Sequence, residues 1–181
     1  MKQINKNIKL LLTAIVLSMM LVVSCNKNNS QPQTSDNLPF DFLKVENEWV
    51  YGVYDNESDT LLYTRTLIVL SENDNVYTLS MDENNIIEHF INDEGWFVDG
   101  FLELPKNAYV GQQWNDQFGS KEVVSISETV IVPAGTFSNC IKTKEIHPHG
   151  SDIYTYRHYS YGLIMVEFVD EALMKLISTN F

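Results

Sequence analysis

LLYTRTLIVLSENDNVYTLSM, Leu61 to Met81, holds two extended runs on either side of ENDN. Both runs are rich in β-branched, aromatic and other apolar residues, and neither spaces them at helical intervals. Between them Asn and Asp supply the turn, because their short side chains bond the local backbone and tolerate left-handed dihedrals. The same pattern extends outward. NESD at 56–59 is a polar turn, and Trp49, Tyr51 and Val53 alternate before it. DENN precedes a run over 86–92, and NDEG precedes one over 96–104. These read as five strands joined by Asn- and Asp-rich turns.

A connecting stretch runs from Pro105 to Trp114, and five more runs follow, over 121–132, 136–146, 152–161, 163–169 and 172–178. Pro133-Ala134-Gly135 and Tyr161-Gly162 mark tight turns, and Val124, Ile126, Val130 and Val132 keep one parity. ALMKLIST near the C-terminus fits either a short helix or a last strand. The expected fold is all-β, an antiparallel meander of about nine or ten strands forming a curved sheet, half-barrel or barrel. Leu38-Pro39 with Val45 and Trp49 is echoed by Leu104-Pro105 with Val110 and Trp114. Chance or a locally repeated structural solution explains this more readily than duplication, and a genuine repeat predicts that Trp49 and Trp114 are largely buried.

The N-terminus has a different logic. Lys2, Lys6 and Lys9 precede an uncharged, mostly apolar run of 14 residues, Leu10 to Val23. A bilayer span needs ~20 apolar residues, so this run has the length of a secretory h-region. Val22, Val23 and Ser24 then precede Cys25, an order that resembles the lipobox of bacterial lipoproteins. The alternative is an N-terminal anchor or signal with a chance cysteine. The resemblance implies cleavage after residue 24, a diacylglycerol on the Cys25 thiol and a further acyl chain such as palmitate. NKNNSQPQTSDN after Cys25 has no apolar residue and suits a flexible tether over 25–37. One domain, 38–181, follows. Asn26 stands where well-studied lipoproteins retained at the inner membrane often carry Asp, so the resemblance favours the outer membrane, and its periplasmic face over the cell surface.

The chain has 181 residues and a formal net charge of −12. The leader holds three lysines and no acid, so the remaining 157 residues carry −15. That balance disfavours nucleic acid and direct docking on anionic lipid. With Cys25 acylated, Cys140 has no intrachain partner and reads as a packed thiol.

FLKVENEWVY, LELPKNAYVGQQW, VPAGTFSNCIKT and YSYGLIMVEF, in that order, resemble a group of uncharacterised Gram-negative envelope lipoproteins. The resemblance implies a curved antiparallel sheet and no established activity. Glu46 stands where that group commonly has Gly, and Leu163 to Met165 replace its Gly-Val-Gly rhythm.

Chemistry is sparse. His147, His149 and His158, with Asp152, form a weak candidate metal set, and polar loop histidines are the plainer reading. SENDN and MDENN lack the full calcium-loop pattern. Glu72, Asp74, Asp82, Glu83, Asp93 and Glu94 fall in turns, where they are expected for backbone reasons. No nucleophile, Walker or paired-cysteine motif is present, and no cofactor is implied. Aromatic residues give the better lead. Trp96, Tyr154, Tyr156 and Tyr159 are candidate ligand-binding residues, although cross-strand packing in a core is the plainer reading. Two functions follow: a non-enzymatic module binding an apolar ligand or envelope protein, or a hydrolase acting on envelope polymers. Two carboxyl groups ~5–9 Å apart in a cleft would mark the hydrolase.

Overall fold

Asp and Asn sit where the chain reverses. Asp74 and Asn75 have φ of 51° and 64°, and Asp99 and Gly100 have 48° and 86°. Two consecutive residues in the left-handed region make the tight hairpin turn whose twist matches that of paired strands. The protein is described from a computed structural model covering residues 40–82, 85–116, 119–146, 152–169 and 172–181. Cys25, the signal segment, the tether, Leu38-Pro39, Glu83, His147 and His149 lie outside the described residues.

The described residues form β1 (Glu48–Asp55), β2 (Leu61–Asn73), β3 (Val76–Met81), β4 (Asn85–Ile91), β5 (Gly95–Val98) and β6 (Phe101–Pro105). β7 (Gln113–Asn115), β8 (Ser120–Val132), β9 (Gly135–Ile146), β10 (Ile153–His158), β11 (Gly162–Phe168) and β12 (Ala172–Thr179) complete the set. All twelve belong to one antiparallel sheet, in the order β6-β5-β4-β3-β2-β1-β12-β11-β10-β9-β8-β7. The all-β antiparallel expectation therefore holds, with two more strands than the upper expected count. The 96–104 run divides at the Asp99-Gly100 turn into β5 and β6, and the three-residue β7 is too short to show a period. ALMKLIST is a strand, paired with both β1 and β11.

The sheet is open. β6 and β7 follow each other in the chain yet are its two edges, whereas β1 and β12 pair at its middle. Side chains cross the open seam instead of a backbone ladder. Trp114 Nε1 donates to the Leu102 carbonyl at 2.8 Å, and the Tyr159 hydroxyl donates to the Pro105 carbonyl at 3.0 Å. That hydroxyl also accepts from the Ala108 N–H at 3.3 Å.

The core lies on the inner face that these contacts enclose. Phe40, Phe42 and Leu43, ahead of β1, are buried there. Phe42 meets Trp96 and Trp49 edge to face, with centroids 5.1 and 6.0 Å apart. Trp49 is 2% exposed, and its Nε1 donates to the Tyr161 carbonyl at 2.9 Å. Trp114, on an edge strand, is less deeply buried than Trp49 and packs against the margin of the core. Glu46 adopts φ 73°. The backbone thus keeps the left-handed turn that a glycine would favour, held by the Glu46 N–H on the Val69 carbonyl (2.9 Å) and by Asn180 Nδ2 on the Glu46 carbonyl (2.8 Å).

Candidate functional site

Alternation places Trp49 and Tyr51 of β1, Arg65 and Leu67 of β2, Leu79 and Met81 of β3, and Ile87 and His89 of β4 on the inner face. Together with Trp96 and Val98 of β5 they surround a cavity of about 220 Å³. Gly162, Leu163 and Met174 of β11 and β12 line it from the other half of the sheet. Phe42 and Leu43 border it too. Gly162 has φ 76°, and a Cβ there would stand 3.1 Å from the Phe42 ring, so the close packing of Phe42 requires the glycine. Most of the wall is apolar. Its polar groups are few: Arg65, Thr66, the Tyr51 hydroxyl, and an interior set made of His89, Glu103 and Arg157.

That interior set comes from three strands. Glu103 reaches the cavity through a β-bulge: Trp96 pairs with Leu104 and Phe97 with Leu102, leaving Glu103 as the extra residue. Lys121 of β8, 4% exposed, places Nζ 2.9 Å from Glu103 Oε1, 3.1 Å from Asp116 and 3.7 Å from Glu145. Arg157 of β10 pairs with the same Glu103 through Nη2, and its Nη1 donates to Thr143 Oγ1 at 3.0 Å. Burial alone would raise the Glu103 pKa, but the Arg157 guanidinium and the Lys121 ammonium hold it below the ordinary carboxylate range. Glu103 is therefore ionised at neutral pH, the opposite of what a general acid needs. His89 behaves differently. Burial pushes its pKa down to about 4, against the smaller upward pull of Glu103 and Asp99. The neutral imidazole accepts at Nδ1 from Trp96 Nε1 at 3.3 Å. Burial also raises the Tyr51 phenol well above its usual range, and that hydroxyl donates to the Leu163 carbonyl at 3.1 Å.

The four aromatic candidates separate. Trp96 lines the cavity. Tyr159 packs beside Phe40, with centroids 5.5 Å apart, and bonds across the seam. Tyr154 and Tyr156 alternate with Thr155 and Arg157, so they lie on the other face, where Lys142 Nζ stands 4.4 and 5.0 Å from their ring centroids. Cys140 is fully buried with a thiol pKa pushed up to about 11 by burial, as a packed thiol should be. Glu72, Asp74, Asp82, Asp93 and Glu94 are exposed. Among the described residues, no group of three or more His, Cys, Asp or Glu side chains is placed to hold a metal ion. Sequence reasoning missed Glu103, Lys121 and His89 as members of one site. For His89 and Glu103 the signal was a polar residue set within an apolar run, which ordinarily marks the solvent face, and Lys121, between Ser120 and Glu122, carried none.

No protein-family model matches this chain, and no curated protein matches it. A solved structure described as a "putative exported protein with YmcC-like fold", from Bacteroides fragilis NCTC 9343, does. The match covers 76% of this chain and 97% of that one, with a TM-score of 0.53 and 13% identity. At that identity the likeness is one of fold alone.

Proposed function

We propose that the chain is an exported, lipid-anchored envelope protein whose β domain holds an apolar ligand in the inner cavity and catalyses no reaction. The observation that carries this reading is the cavity itself. It is bounded by both halves of the sheet, nearly all apolar, and supplied with a few polar groups, the usual make-up of a small-molecule site. Its acids do not suit hydrolysis, since Glu103 is bound to two cations. Export is supported by the leader ahead of Cys25 and by the fold likeness to an exported protein from a Gram-negative species. In this reading residues 1–24 are removed, the acylated Cys25 enters the outer membrane, and residues 25–37 space the domain, 38–181, from its periplasmic face.

Native mass spectrometry of the full chain purified from envelopes tests the binding. A co-purifying apolar molecule is expected. A protein free of ligand that also binds none when offered overturns the reading. Anchoring is tested by Cys25→Ser, which should move the chain out of the membrane fraction. Unchanged fractionation contradicts it.

A further inference from the structure

Burial along the inner face marks where the cavity opens. On β2, Tyr63 is 49% exposed, Arg65 is half-buried and Val69 is buried. On β4, Ile87 is half-buried and His89 is buried. The Val69 end is closed. There the Glu46 N–H bonds the Val69 carbonyl, and the preceding Phe42 and Leu43, both buried, border the cavity. The mouth therefore lies at the Arg65 end.

Two charged side chains stand there, Arg65 and Asp82, and of these Arg65 lines the cavity. Its side chain is 40% exposed, so it runs from the cavity wall into water. Asp82 commits Oδ1 to the Thr66 N–H at 3.0 Å, and its Oδ2 is 3.9 Å from Arg65 Nε, too far for a hydrogen bond. Among the described residues the guanidinium otherwise meets the Met81 sulfur, 3.6 Å from Nη1, and the Tyr63 ring, 5.6 Å away. Sulfur is a weak acceptor, so the planar fork keeps its capacity for a carboxylate. Deeper in, the polar side chains engage one another: Glu103 binds Arg157 and Lys121, and His89 accepts from Trp96. A ligand's polar end is thus best met at the mouth.

We infer that the ligand is a single-chain carboxylate amphiphile, whose hydrocarbon chain fills the cavity and whose carboxylate stays at the mouth, paired with the Arg65 guanidinium. This rests on the reading of the cavity as an apolar ligand site. Size favours one chain over two. An apolar cavity of roughly 150 Å³ holds benzene, so by proportion this one takes roughly nine heavy atoms. One guanidinium with Asp82 beside it suits a single negative charge better than the near-double charge of a phosphate monoester. The protein is negative overall, but salt screens that repulsion beyond about 8 Å, and the nearest cation decides at contact.

Calorimetric titration of the full chain with octanoate, octan-1-ol and octylammonium, at neutral pH and low salt, tests this. The three share a chain and differ in the head. Octanoate should bind about threefold or more tightly than octan-1-ol, and octylammonium should bind least. Arg65→Gln should remove the octanoate advantage and leave octan-1-ol binding unchanged. Octanoate binding no tighter than octan-1-ol overturns the inference, and so does octylammonium binding best. An octanoate advantage that survives Arg65→Gln overturns it too, as does a loss in that variant shared equally by octanoate and octan-1-ol. Each of these leaves the cavity reading in place. If none of the three binds, the cavity reading itself fails, and this inference with it. Should the variant not fold, the wild-type series decides alone.

Discussion

Lys121 Nζ on β8 lies 2.9 Å from Glu103 Oε1 on β6, a charge-assisted hydrogen bond across the one place where neighbouring strands of this sheet do not pair. Arg157 binds the same carboxylate from β10. The edges of a sheet are normally a liability, because their unpaired N–H and C=O groups invite other chains. Here the edge of β6 is covered from within, by side chains of β7, β8 and the β10–β11 turn.

Breaking that lock should be costly. Lys121→Ala leaves a buried carboxylate cluster without one of its cations, and such losses run to ~3–5 kcal/mol. Lys175→Ala, which removes an ion pair to the exposed Asp59, should cost under ~1 kcal/mol. Urea unfolding of both variants measures the difference. Equal effects would show that the seam contributes nothing special.

Glu46 offers a stabilising substitution. Its φ of 73° is unfavourable for a residue with a Cβ, by about 1–2 kcal/mol. Glycine gives back part of that gain through its looser unfolded chain. Glu46→Gly should therefore stabilise the protein by roughly 0.5–1 kcal/mol, read as a higher urea midpoint. A loss of stability would mean that the Glu46 side chain contributes more than its backbone costs.

His89 predicts a pH dependence. Its folded pKa is about 4, against an ordinary value of 6.5, so between these values the unfolded chain binds the proton that the folded chain refuses. Stability is full above about 6.5 and falls as pH drops toward 4, by roughly 3 kcal/mol in all. Glu103, whose pKa is lowered, adds a loss of the same sign, confined to lower pH as its carboxylate protonates. His89→Phe should flatten the part of the curve between pH 6.5 and 4. An unchanged slope would place the titration elsewhere.

The β architecture was legible because its signals are local. Asn and Asp at the turns and apolar residues at period two set out most strands before any packing is considered. The cavity was not, because it depends on irregularities that a period cannot show. Strict alternation in FLELP sets Glu103 against its flanking leucines, yet the bulge opposite Trp96 and Phe97 lets Glu103 and Leu104 both serve the interior. Arg157, by contrast, keeps the parity of Thr155, and the bulge beside it lies on β11, where Ile164 is the extra residue. Tyr154 and Tyr156 shared one face, as parity indicates, but parity alone does not say which face encloses the cavity. Only the curl of the whole sheet, which brings β10 over β4–β6, decides that.

The most direct test of the ligand-binding account is calorimetric titration of the full chain with octan-1-ol, beside an Ile87→Trp variant that fills the cavity from β4. The account predicts saturable one-to-one binding with a negative heat-capacity change in the wild-type protein. It also predicts loss of binding in the variant, with cooperative unfolding retained. No saturable binding in the wild type, or equal binding in a folded Ile87→Trp variant, would contradict it.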